Sequence, residues 1–380
     1  MMQLPAQAIQ AILNFSQIIP YAGFGLQRLS SANLSPASTA DMAAPPPLPL
    51  RIITYNVRFA EHPSKNERPW SERCPLILNE LLYNTRFLDG TSACSIPTST
   101  PSGSSFLCLQ EVLHGQLQDV LNAMNNVEEP DSKDLVRGPL WSYIGVGRED
   151  GESRGEYSPI LYPVKVFEVL HSETVWLSPT PDRPSKGWDA DQNRIMTLGV
   201  FKHKATGRRV IAATTHLDNA GTEAREKSVG VMLDAIDRVR SKWSVPSGDG
   251  KEAESGAEGP AVFLAGDFNS FPTQEAYLAM KDRGSMGDLY DYVPAQRRYR
   301  GDSDTFTGFQ PDTDQDKDEI GRIDFVWLGP KDAVGANDQE PSTTSGLLWN
   351  VKGYAVLPNK YEDGVYSSDH RCVIGDTILG

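Results

Sequence analysis

The chain has 380 residues, 36 Lys and Arg against 50 Asp and Glu, a net charge of −14, and 39% hydrophobic and 23% charged residues. That is the composition of a globular, enzyme-sized chain, and its acidic balance argues against passive coating of a nucleic-acid duplex, which runs on cationic side chains replacing counterions. No apolar run approaches the roughly 18 residues needed to span a bilayer, which excludes a transmembrane protein and leaves no stable membrane association to expect.

Residues 1–50 read as a tail. Ala6 to Tyr21 is mildly apolar but interrupted by Gln10, Asn14, Ser16 and Gln17, with no Lys or Arg before Arg28, a poor secretory signal. Glycosylation-type triplets at Asn14 and Asn33 fall in the same tail, where such patterns arise by chance. The tail closes on Pro45-Pro46-Pro47-Leu48-Pro49, a stiff linker, so the folded domain is expected over residues 51–380.

Ile52-Ile53-Thr54-Tyr55 predicts a buried strand. Trp70, Cys74, Ile77, Leu78 and Leu81 recur at helical spacing. After a Ser/Thr/Pro/Gly-rich loop from Gly90 to Ser105 come a strand from Phe106 to Leu109 and a helix marked by Leu113, Leu117, Val120, Leu121 and Met124. Closely spaced strands follow, at Tyr143 to Val146, Pro159 to Tyr162, Val164 to Leu170, Ile195 to Phe201 and Val210 to Thr215. A helix is predicted from Thr222 to Arg240, then a surface insertion from Ser244 to Pro260. Ala261 to Ala265, Ile323 to Leu328 and Cys372 to Ile374 supply the last strands, and no repeat period points to a solenoid or propeller.

Cys108 and Cys372 sit in apolar runs and read as reduced core residues, whereas Cys74 and Cys94 would pair only in an exported chain. Four free thiols and a cytoplasmic location are the expectation, with secretion as the alternative. A monomer is expected.

Several predicted strands end in polar residues that make no sense as core: Asn56, Gln110-Glu111, His216 and Gly266-Asp267-Phe268-Asn269, with Asp369-His370 just before the last strand. Each alone is a common loop or turn residue. Together, with Asp324, they supply hard oxygen donors, amides and two imidazoles, an inventory suited to metal-assisted attack on a phosphoester.

In this order, Tyr55-Asn56, Leu109-Gln110-Glu111, Thr215-His216, Gly266-Asp267-Phe268-Asn269, Arg322-Ile323-Asp324 and Ser368-Asp369-His370 resemble the motifs of the endonuclease/exonuclease/phosphatase superfamily, from residue 51 to the C-terminus. The resemblance implies an α/β fold, a four-layered sandwich of two mostly antiparallel sheets flanked by helices. It implies that Glu111 holds Mg²⁺ (or Mn²⁺), with Asn56 as a further ligand or an orienting amide and Asp369 contributing to a metal position. Asp267 would deprotonate the attacking water, Asn269 and His216 would contact the phosphoryl group, and His370, oriented by Asp324, would stabilise its charge. Gly266-Asp-Phe-Asn-Ser-Phe-Pro272 and Thr215-His216-Leu217 resemble the deadenylase and nocturnin group. The segment from Trp176 to Ala190 resembles a largely uncharacterised bacterial and fungal subgroup.

Arg148, Arg154 and Arg194 fall between the Glu111 and His216 motifs, as phosphate clamps or as surface arginines. Tyr157 and Trp188 could stack a base, although packing is the commoner use of such a Trp. Asp312-x-Asp314-x-Asp316 starts like a calcium loop, but Lys317 replaces the required Gly, and the segment reads as an acidic solvated loop. The expected activity is a Mg²⁺-dependent phosphodiesterase acting on single-stranded nucleic acid or a nucleotide-like substrate. The alternatives are a phosphatase or phospholipase-like hydrolase of a small or lipid-head-group phosphoester, and a silent binding scaffold, against which the presence of Glu111, Asp267 and His370 argues.

Overall fold

Alternating apolar residues with both faces buried dictate the architecture. The computed structural model describes residues 46–86, 104–126, 140–244, 259–299, 303–309, 320–336 and 348–380. The first 45 residues with their triplets at Asn14 and Asn33, Cys94, most of the two predicted loops at 90–105 and 244–260, and the acidic run at Asp312, Asp314 and Asp316 lie outside the described residues.

The elements in chain order are β1 (Leu48–Asn56), α1 (Trp70–Arg86), β2 (Ser104–Gln110), α2 (His114–Asn125), β3 (Trp141–Ile144), β4 (Ile160–Pro163), β5 (Phe167–Trp176), β6 (Ile195–His203), β7 (Arg209–His216) and α3 (Thr222–Trp243). They continue with β8 (Ala261–Asp267), α4 (Glu275–Arg283), β9 (Gly287–Asp288), β10 (Arg298–Tyr299), β11 (Asp324–Gly329), β12 (Val334–Gly335), β13 (Trp349–Val356) and β14 (Val373–Leu379). One sheet runs β10-β13-β14-β1-β2-β4-β3, with β12 also on β13, and the other runs β5-β6-β7-β8-β11-β9. Most pairings are antiparallel; β1 with β2, β7 with β8, and the short β10 and β12 with β13 are parallel.

Successive residues of one strand serve different layers. Ile52, Phe106, Cys108, Ala212 and Phe263 pack between the two sheets. Their neighbours Ile53, Leu107 and Leu109 face Ile77, Leu81, Leu117 and Val120 of α1 and α2. Ile211, Ala213, Val262 and Leu264 face Val229, Met232, Leu233 and Ile236 of α3, and Met280 of α4. The period of 2 in the strands and of 3.6 in the helices therefore closes into four layers. Phe106 lies with ring centroids 4.6 Å from Phe167, 5.0 Å from Phe201 and 5.4 Å from Phe263, an aromatic cluster joining the sheets.

Some boundaries move. β1 begins at Leu48, four residues before the predicted start at Ile52, because Leu48 and Leu50 are buried and pair with Leu379 and Thr377. Pro49 lies outside the β1–β2 register, which starts at Leu50 and Ser104, so its missing N–H takes nothing from that pairing. β5 extends to Trp176 through a register shift between Val169 and His171, and such a bulge erases the alternation that would reveal the strand. β13 was not expected, and it too carries a shift, between Val351 and Gly353. α4 also escaped the periodicity; it buries only Ala276, Tyr277 and Met280. Cys74, Cys108 and Cys372 are free thiols. No helix among the described residues is long and apolar enough to cross a membrane.

α1 carries an acidic residue inward. Both Glu80 carboxylate oxygens are buried without a hydrogen-bond partner, beside Cys372, and burial lifts the carboxyl to about 8. A folded-state pKa above the unfolded one contributes stability below the unfolded value that is lost as pH rises through about 8. Glu80→Gln is therefore expected to leave the thermal midpoint near wild type at pH 5 and to stabilise by on the order of 1–3 kcal/mol at pH 8.5. Parallel melting curves of the two proteins would show no divergence across that range if the carboxyl were solvated.

Candidate active site

Strand register gathers the polar strand ends at one edge of the sandwich. Asn56 aligns with Gln110 in the parallel β1–β2 pair, and His216 with Asp267 in the parallel β7–β8 pair. Asp324 opens β11 directly opposite Asp267. Beneath them, Gln110 Nε2 donates to Thr54 Oγ1 and to Thr214 Oγ1, both at 3.1 Å, bridging the two sheets with a buried amide. Gly266 has φ +145°, and a Cβ there would lie 2.1 Å from the Thr215 carbonyl, so no other residue fits between β7 and β8 at this point. Glu111 (φ 57°) and Asn269 (φ 46°) are left-handed, and from these positions their side chains meet Asn56 and His216.

Asn56 is the hub. Its Nδ2 donates to Glu111 Oε1 at 2.9 Å and to Asp267 Oδ2 at 3.0 Å and lies 3.3 Å from His370 Nε2, while its Oδ1 accepts the Arg58 N–H at 3.0 Å. The amino group thus faces the carboxylates, while Oδ1, which accepts one hydrogen bond, keeps a second lone pair. Glu111 Oε2 accepts the Phe59 N–H at 3.2 Å, and Asp369 Oδ1 accepts Ser368 Oγ at 3.2 Å. Both carboxylates are nearly buried, at 9% and 8% exposure.

The two imidazoles stand on either side of Asp267, each with Nε2 3.5 Å from its Oδ2. Their environments differ. His370 Nδ1 is 2.9 Å from Asp324 Oδ2; burial works against its charge, but Asp324 and Asp267 overcome that and hold its pKa at about 10, so it is a cation. Thr305 Oγ1 accepts the N–H groups of Ile323 and Asp324 at 3.0 Å, and Phe306 packs edge-on to the ring, which fixes this pair. His216 is pushed well below its ordinary value by burial and then by Arg194 and Arg148, so it is neutral. Asn269 Nδ2 faces His216 Nε2 at 3.0 Å, which places the ring proton on Nδ1. Asp267, which also accepts the Asn269 N–H at 2.8 Å, is lifted to about 7 by burial and by the like charge of Asp324.

The expected substrate residues divide. Arg148 and Arg194 are buried beside His216, where Arg148 Nη1 donates to Glu156 Oε2 at 2.7 Å and Arg194 is held by Asp218 and Asn219. Arg154 points outward, its side chain 75% exposed and paired with Asp150. Tyr157 is corrected: it is 2% exposed, packed in the layer under α2 with its hydroxyl on His114 Nδ1 and the Glu152 carbonyl, and has no open face for a base. Trp188 is half-buried with the Lys227 ammonium 5.6 Å from its ring. Two charged groups were missed, Arg58 and Glu156. Arg58 lies 3.6 Å from Glu111 Oε2 and 4.0 Å from Asp369 Oδ2. A cation directly after the Asn56 strand end was the available signal for it; Glu156 had none beyond lying between two flagged residues.

A divalent cation fits this edge. The carboxylates of Glu111, Asp267, Asp324 and Asp369 converge with Arg58 and His370 as their nearest cations, and burial lifts the Asp369 carboxyl above its usual range. Asp267, Asp324 and His370 also lie within ligand reach of one another. The His370 Nδ1 is engaged by Asp324, so the carboxylate oxygens are the hard donors this group offers a cation.

The family model described as Endonuclease/Exonuclease/phosphatase family matches residues 53–370. The chain belongs to that family. Members of the Endonuclease/Exonuclease/phosphatase family are metal-dependent phosphoester hydrolases. A mannosyl-6-phosphatase from Bacteroides thetaiotaomicron VPI-5482 is 28% identical over 87% of this chain and 100% of its own, with a TM-score of 0.62. An endonuclease/exonuclease/phosphatase family protein from Bacteroides thetaiotaomicron is 26% identical over 89% and 97%, with a TM-score of 0.64. The human nocturnin catalytic domain with bound sulfate shares the fold, at 18% identity over 88% and 94% and a TM-score of 0.55. No curated protein matches the chain significantly.

Proposed function

We propose that this chain is a divalent-cation-dependent hydrolase of a small phosphorylated molecule, a sugar phosphate being the favoured class. The observation that carries the reading is the cluster beside His216, where the buried Arg148 and Arg194 are paired with the nearly buried Glu156 instead of standing outward as a line of cations. The single-strand reading loses one of its two stacking residues, since Tyr157 is core, and the other, Trp188, has the Lys227 ammonium over its ring. The 28% identical mannosyl-6-phosphatase supports the same substrate class.

Glu111 and Asp369 would hold Mg²⁺ or Mn²⁺, which when bound supplies positive charge at the phosphoryl oxygens. Asp267, its oxygens aimed by Asn56 and the Asn269 N–H, takes the proton of the attacking water as the water oxygen bonds to phosphorus and the ester P–O bond breaks, the leaving oxygen taking a proton from solvent to depart as a hydroxyl. Protonated His370 donates to a phosphoryl oxygen, held in orientation by Asp324. Neutral His216 and Asn269 complete the polar surround of that group.

Initial rates in one Mg²⁺ buffer on a hexose 6-phosphate, p-nitrophenyl phosphate, a dinucleotide, a short single strand and its duplex test the substrate class. The hexose phosphate is expected to react fastest and the duplex slowest. Faster cleavage of the single strand or dinucleotide would return the protein to the phosphodiesterase reading.

A further inference from the structure

Arg73 of α1 has a side chain with no exposed surface, and the chemistry above gives it no part. Its Nη1 donates to the carbonyls of Val57 at 2.8 Å and Ser367 at 3.0 Å. Its Nη2 reaches the carbonyls of Arg58 at 3.2 Å and Phe59 at 3.4 Å and Glu67 Oε1 at 3.1 Å, and its Nε donates to the Arg68 carbonyl at 3.0 Å. Burying a guanidinium is costly unless its donors are matched. Here they are used on two loops that meet only in space, the one leaving β1 and the one approaching β14.

Those loops carry the surroundings of the cation carboxylates. The Phe59 N–H donates to Glu111 Oε2, and Ser367 precedes Ser368, whose Oγ lies 2.7 Å from the Asn56 carbonyl and 3.2 Å from Asp369 Oδ1. Glu67, its side chain 2% exposed, links the two arginines: Oε1 accepts from Arg73, while Oε2 accepts the Ser64 N–H at 2.8 Å and lies 3.4 Å from Arg58 Nε. Arg58 in turn spans Glu111 and Asp369.

We propose that Arg73 and Glu67 are positioning residues for the cation site: the Arg73 fork sets the separation of the two loops, and Glu67 aims the Arg58 guanidinium between Glu111 and Asp369. The assignment rests on the cation dependence proposed above. A lysine could not replace the fork, since an ammonium has three donors on one atom, whereas the three guanidinium nitrogens reach six acceptors.

Mn²⁺ titration calorimetry without substrate, on the full chain and its Glu67→Gln and Arg73→Lys variants, tests it, with thermal midpoints measured with and without Mn²⁺. Outer residues that orient ligands typically change affinity about 10- to 100-fold, and both variants are expected to bind Mn²⁺ more weakly by that factor and to show a smaller Mn²⁺-induced rise in midpoint. A purely architectural role would lower the midpoint and leave Mn²⁺ affinity alone. Unchanged affinity in folded Glu67→Gln protein overturns the proposal, and that variant, which keeps the size of the side chain, decides the matter if Arg73→Lys does not fold. Absence of Mn²⁺ binding by the wild-type chain overturns the cation reading and this assignment with it.

Discussion

Asp267→Asn is expected to lower kcat by about 10²- to 10⁴-fold, the range supplied by a positioned general base. The amide preserves the shape of a side chain that is fully buried, so circular dichroism and the thermal midpoint should stay close to wild type. Above pH 7 the midpoint should not fall, because the substitution removes a carboxylate that burial and Asp324 already make reluctant to ionise. The same raised pKa gives a pH signature. Below about 7 the carboxyl holds its proton and cannot take one from water, so wild-type activity should fall as pH drops through that value. A variant with normal turnover and a collapsed melting transition would make Asp267 structural.

Removing Glu111 should be the next largest loss. In chelator the wild-type chain is expected to be inactive, with Mg²⁺ or Mn²⁺ restoring it; Glu111→Ala should require on the order of 100-fold more cation for half-maximal rate, since it takes away one of the two carboxylates proposed to hold it. The Phe59 N–H and Asn56 Nδ2 would lose their shared partner in the same variant. Glu111→Gln keeps the size of the side chain and one acceptor oxygen but turns an NH₂ group toward the other donor, so its cation defect reports the lost charge together with one lost hydrogen bond. Full activity of the wild type in chelator would remove the cation from the reaction.

How much was legible in the sequence follows from which interactions are local. Apolar alternation in β1, β2, β7 and β8 and the 3.6-residue spacing in α2 and α3 report burial of a face, and burial is shared by every residue of that face, so the pattern survives in one dimension. The polar residues that end those strands stand out against it, and that contrast, in its order along the chain, carried the family, the fold and the eight residues now gathered at one edge. Where alternation is broken by a register shift, as in β13 and the middle of β5, the strand became illegible. Only the tertiary structure could decide the roles that depend on a distant partner. Arg73 meets the Ser367 carbonyl across 294 positions and Asn56 meets His370 across 314, separations at which nothing in the local sequence records the contact. The two histidines show the same limit in electrostatic terms. In the sequence they are interchangeable imidazoles, yet an uncompensated Asp324 makes one a cation while two buried arginines keep the other neutral, because a charge is set by its neighbours in space.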